Sequence, residues 1–269
     1  MERAGHECCD IGSRRQKAEK IVRILEGHRP LSASRILDVG VGSGVTAALL
    51  AERVGPGGSV CGTDVRDTRI RSHGFRFVAV EDPRLPFPDD SFDVVVSNHV
   101  IEHVGQRPDQ KVHVSEMLRV LRPDGLAYLA TPNRWTVVEP HFRLPFLSWL
   151  PAGLRDGYVR LAGRGAAYDC DLLSRSELHA LLRQTGWTPR DETARAMRAT
   201  ADIEGPRLLA RGLALVPTWI LRVLARFSPT FVVTARRAGE RGPGEDVRPG
   251  QHVAGSSRGR KRRGGVTAS

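Results

Sequence analysis

Residues 35–46 read Arg-Ile-Leu-Asp-Val-Gly-Val-Gly-Ser-Gly-Val-Thr. An apolar run carries an acid near its end, three glycines follow at alternate positions, and a helix-forming stretch begins at Val45. A strand, a tight turn and a helix in that order open a βαβ unit, and the loop after such a strand is where a parallel sheet receives ligands. Glycines at 40, 42 and 44 allow the backbone to approach a ligand without a Cβ in the way. The Gly-x-Gly-x-Gly spacing lacks the interval of the dinucleotide fingerprint Gly-x-Gly-x-x-Gly. The stretch therefore predicts a nucleotide-like ligand with no pyrophosphate for the helix N-terminus to hold. A tight turn without any ligand is the plainer alternative, and Asp38 weighs against it.

Outward from this turn, short β-type runs recur at 59–63, 75–80, 92–97 and 125–131, with helical patterns at 13–27, 45–54 and 109–121. Alternating strands and helices imply a parallel sheet covered on both faces. The run Phe92-Asp-Val-Val-Val-Ser is almost continuously apolar, as a central strand should be. Further on, Ser174 with Glu177 three residues later forms a capping box for a helix over 174–184. A strand over 187–193, a Leu/Arg-rich helical stretch over 203–227 and a strand over 230–237 follow. The segment 133–171 shows no clear strand.

The chain has 269 residues, 40% of them hydrophobic, and a formal charge of +11. That size fits one elaborated α/β domain. From 238 to 269 there are seven Lys/Arg against three Asp/Glu, so this part contributes +4 and the remainder about +7 as scattered Arg. Only Lys17, Lys20, Lys111 and Lys261 are lysines, a bias spread along the whole chain rather than gathered into a phosphate-binding patch. No specific nucleic-acid partner is expected. The four cysteines form no Cys-x-x-Cys pair, and the charged first 30 residues do not read as a leader. These features fit a cytoplasmic protein. The boundaries expected are a domain over 1–237, acceptor-side insertions at 133–171 and 203–228, and a disordered basic tail over 238–269.

More signals follow in order. The second strand ends at Asp64-Val65, where an acid can accept hydrogen bonds from two ribose hydroxyls. The third runs into Glu81-Asp82-Pro83-Arg84-Leu85-Pro86-Phe87-Pro88-Asp89-Asp90-Ser91-Phe92-Asp93. The fourth ends at Ser97-Asn98-His99, followed by Ile101-Glu102-His103, and Arg122-Pro123-Asp124-Gly125 precedes the fifth. Together these resemble the class I S-adenosylmethionine-dependent methyltransferases, of the methyltransferase type 11 kind and closest in flavour to the ubiquinone/menaquinone biosynthesis branch. The likeness is strong over about 35–131 and loose over 174–237.

The resemblance implies a Rossmann-like, doubly wound α/β fold: a seven-stranded sheet whose last strand is antiparallel, with helical lid insertions. It implies S-adenosylmethionine as cofactor. Asp38 would bind the methionine amino group, and Gly40, Gly42 and Gly44 would admit the methionine and ribose. Asp64, with Val65 beside it, would hold the ribose hydroxyls. Adenine would be met by Glu81 or by Asp82, since the longer acid stands where the family has an Asp. Asn98 would line the cofactor near the sulfonium.

On the acceptor side stand Glu102, His103 and His141. The reading leaves open a general base, a metal site, for which no ligand set is assigned, and a purely positioning role. Trp135, Phe142, Phe146, Trp149, Tyr158 and Tyr168 suggest an apolar acceptor wall or a lid packed on itself. His113, on a helix face, reads as solvated. The acceptor expected is a small-molecule, sugar or lipid-like hydroxyl or activated carbon. The stretch 203–227 could touch the inner membrane face peripherally, or form a core helix pair. An RNA methyltransferase using the basic tail, an inactive cofactor-fold scaffold and a nicotinamide dehydrogenase are the rival readings.

Overall fold

The computed structural model describes residues 11–239. The basic tail beyond them lies outside the described residues. The chain opens with helix α1 (Ile11–Glu26), then β1 (Arg35–Val39), α2 (Val45–Val54), β2 (Ser59–Asp64), β3 (Arg76–Ala79) and β4 (Phe92–Asn98). Helix α3 (Arg107–Val120) leads into β5 (Leu121–Pro132). A small hairpin, β6 (Val138–Glu139) and β7 (Leu144–Pro145), and α4 (Ala152–Leu161) come next. The chain continues through α5 (Arg175–Gln184), β8 (Trp187–Asp191), α6 (Thr193–Glu204), α7 (Arg207–Leu215), α8 (Thr218–Leu224) and β9 (Thr230–Arg237).

Seven strands form one sheet in the order β3-β2-β1-β4-β5-β9-β8. The first five are parallel, and β9 inserts between β5 and β8, antiparallel to both. The fold is thus the α/β arrangement expected, last strand included. The order reverses between β1 and β4, which opens a crevice at their carboxyl ends.

Both faces of the sheet are buried, and the period-two alternation of each strand assigns its side chains to one face or the other. Ile36, Val94, Val96, Leu126 and Tyr128 pack with Ile21, Leu25 and Leu50 from α1 and α2. Leu37, Val95, Ala127 and Leu129 face the other way, against Val114 and Met117 of α3 and Leu178 and Leu182 of α5. A separate cluster, with Phe142, Leu144, Leu147, Val159, Cys170 and Leu172, forms the core of the 133–171 insertion. That insertion has a two-stranded hairpin where the sequence showed no strand. The α5 capping box is present, with the Ser174 hydroxyl accepting from Glu177 N–H and the Glu177 carboxylate accepting from Ser174 N–H. Strand β8 stops at Asp191, because α6 begins two residues later, a helix the sequence did not announce.

Candidate active site

The glycine turn sits at the crevice. Gly40, Gly42 and Gly44 all have positive φ, at 73°, 48° and 78°. Their surroundings differ. A Cβ on Gly40 would stand 2.3 Å from Val100 Cγ2, and one on Gly44 only 2.0 Å from the Arg71 carbonyl oxygen. Gly44 is therefore needed because the 70–71 backbone lies on it, with Ile70 and Arg71 N–H both donating to the Ser43 carbonyl. A cavity of about 200 Å³ opens beside the turn, lined by Gly40, Asp64, Val65, Glu81, Asp82, His103 and His113 among others. Gly42, Gly44 and Asn98 are not among its lining residues. Of the three glycines, Gly40 borders this cavity directly, while Gly42 N–H is bound to the Asp64 carboxylate.

Asp38, near the end of β1, is 3% exposed, and its Oδ2 has no hydrogen-bond partner among the described residues. Burial, reinforced by the neighbouring charge of Asp64, pushes its carboxyl up to about 7. Asp64 is held in place from below: Oδ2 accepts Gly42 N–H at 2.9 Å and Oδ1 accepts Val65 N–H at 2.8 Å. Asp82 Oδ1 accepts Arg84 N–H at 2.7 Å, an Asx-type turn that ties this acid to its own loop, whereas its neighbour Glu81 carries no such bond.

Beyond β4, His99 adopts φ 59°, and a short 3₁₀ turn over Ile101–His103 follows. The turn is anchored by Asp171 N–H donating to the Glu102 carbonyl and by Gln110 Nε2 donating to the Ile101 and Asp171 carbonyls. Glu102 is 1% exposed; Thr131 Oγ1 donates to its Oε2 at 3.2 Å, and His99 Nδ1 lies 3.3 Å from its Oε1. Burial would raise this carboxyl, but His99 and then His103 outweigh burial and hold it below its ordinary range.

The β6–β7 hairpin brings His141 to His103, with 3.2 Å between their Nε2 atoms. Behind His141 lies Glu139, fully buried, whose Oε1 is 2.8 Å from His141 Nδ1 and whose Oε2 accepts Phe142 N–H at 2.7 Å. Burial lowers the His141 pKa, but Glu139 more than reverses this, so it sits above the ordinary histidine value. On its other side, His103 Nδ1 lies 3.7 Å from Cys170 Sγ, a thiol that burial and adjacent acids keep protonated. A carboxylate on Nδ1 fixes the His141 tautomer. In its neutral form His141 donates Nδ1–H to Glu139 and offers Nε2 as acceptor to His103 Nε2–H, which leaves His103 Nδ1 as an acceptor beside the Cys170 thiol.

Glu102, His103 and His141 thus converge, as the sequence suggested, and Glu139 joins them unannounced. Two sets have donor atoms within 4.8 Å of one another and the ligand types of a metal site: His103, His141 and Cys170, and His99, Glu102 and His141. They share His141, so at most one can hold an ion at a time. His113 is corrected: it is 3% exposed, lines the cavity, pairs with Ser97 Oγ at 3.0 Å, and is driven down to about 4 by burial. The aromatic wall divides. Phe142 is buried against Tyr168, while Trp135, Phe146 and Trp149 cluster at the surface.

The family model described as a methyltransferase domain matches residues 37–129. The chain is 33% identical over 194 residues to the ubiquinone/menaquinone biosynthesis C-methyltransferase of Ectopseudomonas mendocina, covering 67% of this chain and 68% of that protein. It is 32% identical to the ubiquinone biosynthesis O-methyltransferase of Agrobacterium fabrum over 52% of this chain, and spans only 58% of that relative's length. The S-adenosylmethionine-dependent methyltransferase structure from Mesorhizobium loti shares the fold, with a TM-score of 0.56 at 17% identity over 82% of this chain and 100% of that one.

The residues fit the cofactor. Asp64, Glu81 and Asp82 line the cavity with no Lys or Arg among its lining residues, a poor place for a pyrophosphate and a good one for a cationic sulfonium nucleoside. The unpartnered Asp38 oxygen supplies a buried acceptor for an ammonium group. S-adenosylmethionine is the cofactor, and the chain belongs to the class I S-adenosylmethionine-dependent methyltransferases, in the branch of the ubiquinone and menaquinone biosynthesis methyltransferases.

Proposed function

We propose that this protein transfers a methyl group to a hydroxyl or activated carbon of a small-molecule or lipid-like acceptor, with His103 and His141 as its proton-accepting pair. The observation that carries this reading is the Glu139–His141–His103 chain, which ends at the cavity carrying the donor-side acids. When bound, S-adenosylmethionine supplies an already activated methyl group, so the protein's part is alignment, exclusion of water and proton removal. On the donor side, Asp38 receives the methionine amino group, Asp64 and Val65 the ribose, and Glu81 the adenine amino group. Asp82, tied to Arg84, shapes the loop.

On the acceptor side, His103 takes a proton at Nδ1 and passes its Nε2 proton to His141 Nε2. The Glu139 carboxylate stabilises the resulting imidazolium through Nδ1. Buried Glu102 fixes His99 and adds negative charge beside the pair. The named chemistry of the relatives, O-methylation and C-methylation on the way to quinones, supports an acceptor with a phenol-like oxygen or the carbon it activates.

Calorimetry with S-adenosylmethionine, followed by labelled methyl transfer to a panel of phenolic and prenylated acceptors, tests the reading. Wild type should bind the cofactor and Asp64→Ala should not. His103→Ala and His141→Ala should bind it yet lose about 10²-fold or more in transfer to a hydroxyl. Absence of cofactor binding by the wild type ends the proposal.

A further inference from the structure

Asn133 is 2% exposed and spends all of its polar groups on two surface segments. Its N–H donates to the Pro229 carbonyl at 2.8 Å, and Nδ2 donates to the carbonyls of Ser228 at 3.0 Å and Arg226 at 3.4 Å. Its Oδ1 accepts Trp135 N–H at 2.9 Å. One segment starts the acceptor-side insertion and the other ends the α7–α8 pair, and each bears exposed apolar side chains next to these bonds.

On the insertion, Trp135, Phe146 and Trp149 are 55%, 48% and 45% exposed and pack ring to ring, with Trp149–Phe146 centroids 5.0 Å apart and Trp149–Trp135 centroids 6.1 Å apart. On the helix pair, Leu215, Trp219 and Phe227 are 86%, 67% and 80% exposed. Neither group lies in a core cluster. Apolar side chains this large and this close are uncommon on a soluble surface without a partner.

Charge selects the partner. Between 207 and 227 the sequence has no Asp or Glu, and Arg222 and Arg226 are exposed beside these side chains. Along 133–151 the one acid is Glu139, which is fully buried, and Arg143 is exposed, while Arg134 is paired with Glu177. Exposed aromatic and aliphatic side chains with Arg143, Arg222 and Arg226 among them, on segments that expose no acid of their own, match the boundary between acyl chains and anionic headgroups.

We propose that the two patches form one surface that docks on an anionic bilayer, with Asn133 locking them side by side. This deepens the lipid-like acceptor reading, because the insertion that touches the bilayer also carries His141. A docked molecule would meet an acceptor dissolved in the membrane without the acceptor leaving it.

Flotation of the full chain with vesicles of phosphatidylcholine containing phosphatidylglycerol, against phosphatidylcholine alone, tests docking apart from catalysis. Wild type should float with the anionic vesicles, more at low salt than at high, with a blue-shifted tryptophan emission. Trp219→Ser with Phe227→Ser, and separately Trp135→Ser with Trp149→Ser, should each reduce partitioning at least about tenfold. Both variants should retain S-adenosylmethionine binding, which shows that they are folded. Asn133→Ala should weaken partitioning while every exposed side chain remains. No flotation at low salt overturns the proposal. So does equal flotation of the serine variants, which would assign binding to the basic tail, or wild-type self-association that these substitutions abolish. Failure of the acceptor reading would look different: vesicle binding intact, with no transfer to prenylated acceptors.

Discussion

Asp38→Asn should make the cofactor-free protein more stable at alkaline pH and less stable at acid pH. In the folded chain this carboxyl is buried, one oxygen has no partner among the described residues, and its pKa rises from 3.8 to about 7. At about 1.4 kcal/mol per pH unit, ionising it inside the protein costs about 4 kcal/mol more than ionising it in the unfolded chain. The folded state holds the proton more tightly, so the stabilisation from Asp38 is complete below about pH 4 and is lost as pH rises through about 7.

An asparagine removes the charge but leaves a buried amide with unmet hydrogen bonds, at a cost of about 1–3 kcal/mol. The balance is a variant about 1–3 kcal/mol more stable than wild type at pH 8 and about 1–3 kcal/mol less stable at pH 4. Urea denaturation at several pH values checks this, since the contributions of titrating groups not coupled to Asp38 cancel between the two proteins. Saturating S-adenosylmethionine should reverse the order at pH 8, because its ammonium partners the wild-type carboxylate and finds none in the variant. A stability difference that keeps one sign from pH 4 to pH 8 would refute the reasoning.

Glu139→Gln should lower transfer to a hydroxyl by about 10- to 100-fold while leaving cofactor binding intact. Because Glu139 holds the His141 pKa up, the acid limb of the pH–rate profile should move to lower pH, as read from kcat/KM across pH. Gly44→Ala should cost several kcal/mol, against about 1 kcal/mol for Gly42→Ala, by denaturant melts. Both have positive φ, but only at 44 would the Cβ strike backbone, at the Arg71 carbonyl. Tyr128→Phe should be neutral or stabilising by about 1 kcal/mol, since the buried hydroxyl has no hydrogen-bond partner among the described residues.

The donor half of the molecule was legible because its chemistry is local. Arg35–Val39, the glycines and Val45–Val54 lie in one stretch, and the structure keeps those strand and helix limits. Asp64, Val65, Glu81 and Asp82 follow their strands directly, so strand alternation alone delivers them to the sheet's carboxyl edge. The close approach at Gly44 was harder to read, because the Arg71 carbonyl that lies against it comes from a different part of the chain. His113 was misread because the buried stripe of α3 is half polar: Gln110 and His113 lie on it with Val114, Met117 and Val120, so no apolar period marks it. Helix α6 was missed for a related reason. Thr193-Ala-Arg-Ala-Met-Arg-Ala-Thr buries alanines and Thr193, and small side chains give a weak hydrophobic pattern.

The acceptor half depends on a residue that sequence logic would discard. Glu139 sits between Val138 and Pro140 in a segment without strand signal, and an isolated acid there reads as solvent-facing. Its meaning appears only when the five residues from 139 to 143 close on themselves, with Arg143 N–H donating to the Glu139 carbonyl and Phe142 N–H to its carboxylate. One side chain thereby shapes the turn and orients His141. A buried carboxylate bonded to an imidazole favours the protonated form of that imidazole. His141 is thus pushed upward by Glu139, while His113, with burial and no adjacent carboxylate bond, is pushed down to about 4. Two histidines in the same crevice region are driven apart in this way. Of these two, His141 on the hairpin is the one whose surroundings favour taking a proton, which is why the proposed base is the His103–His141 pair and not His113.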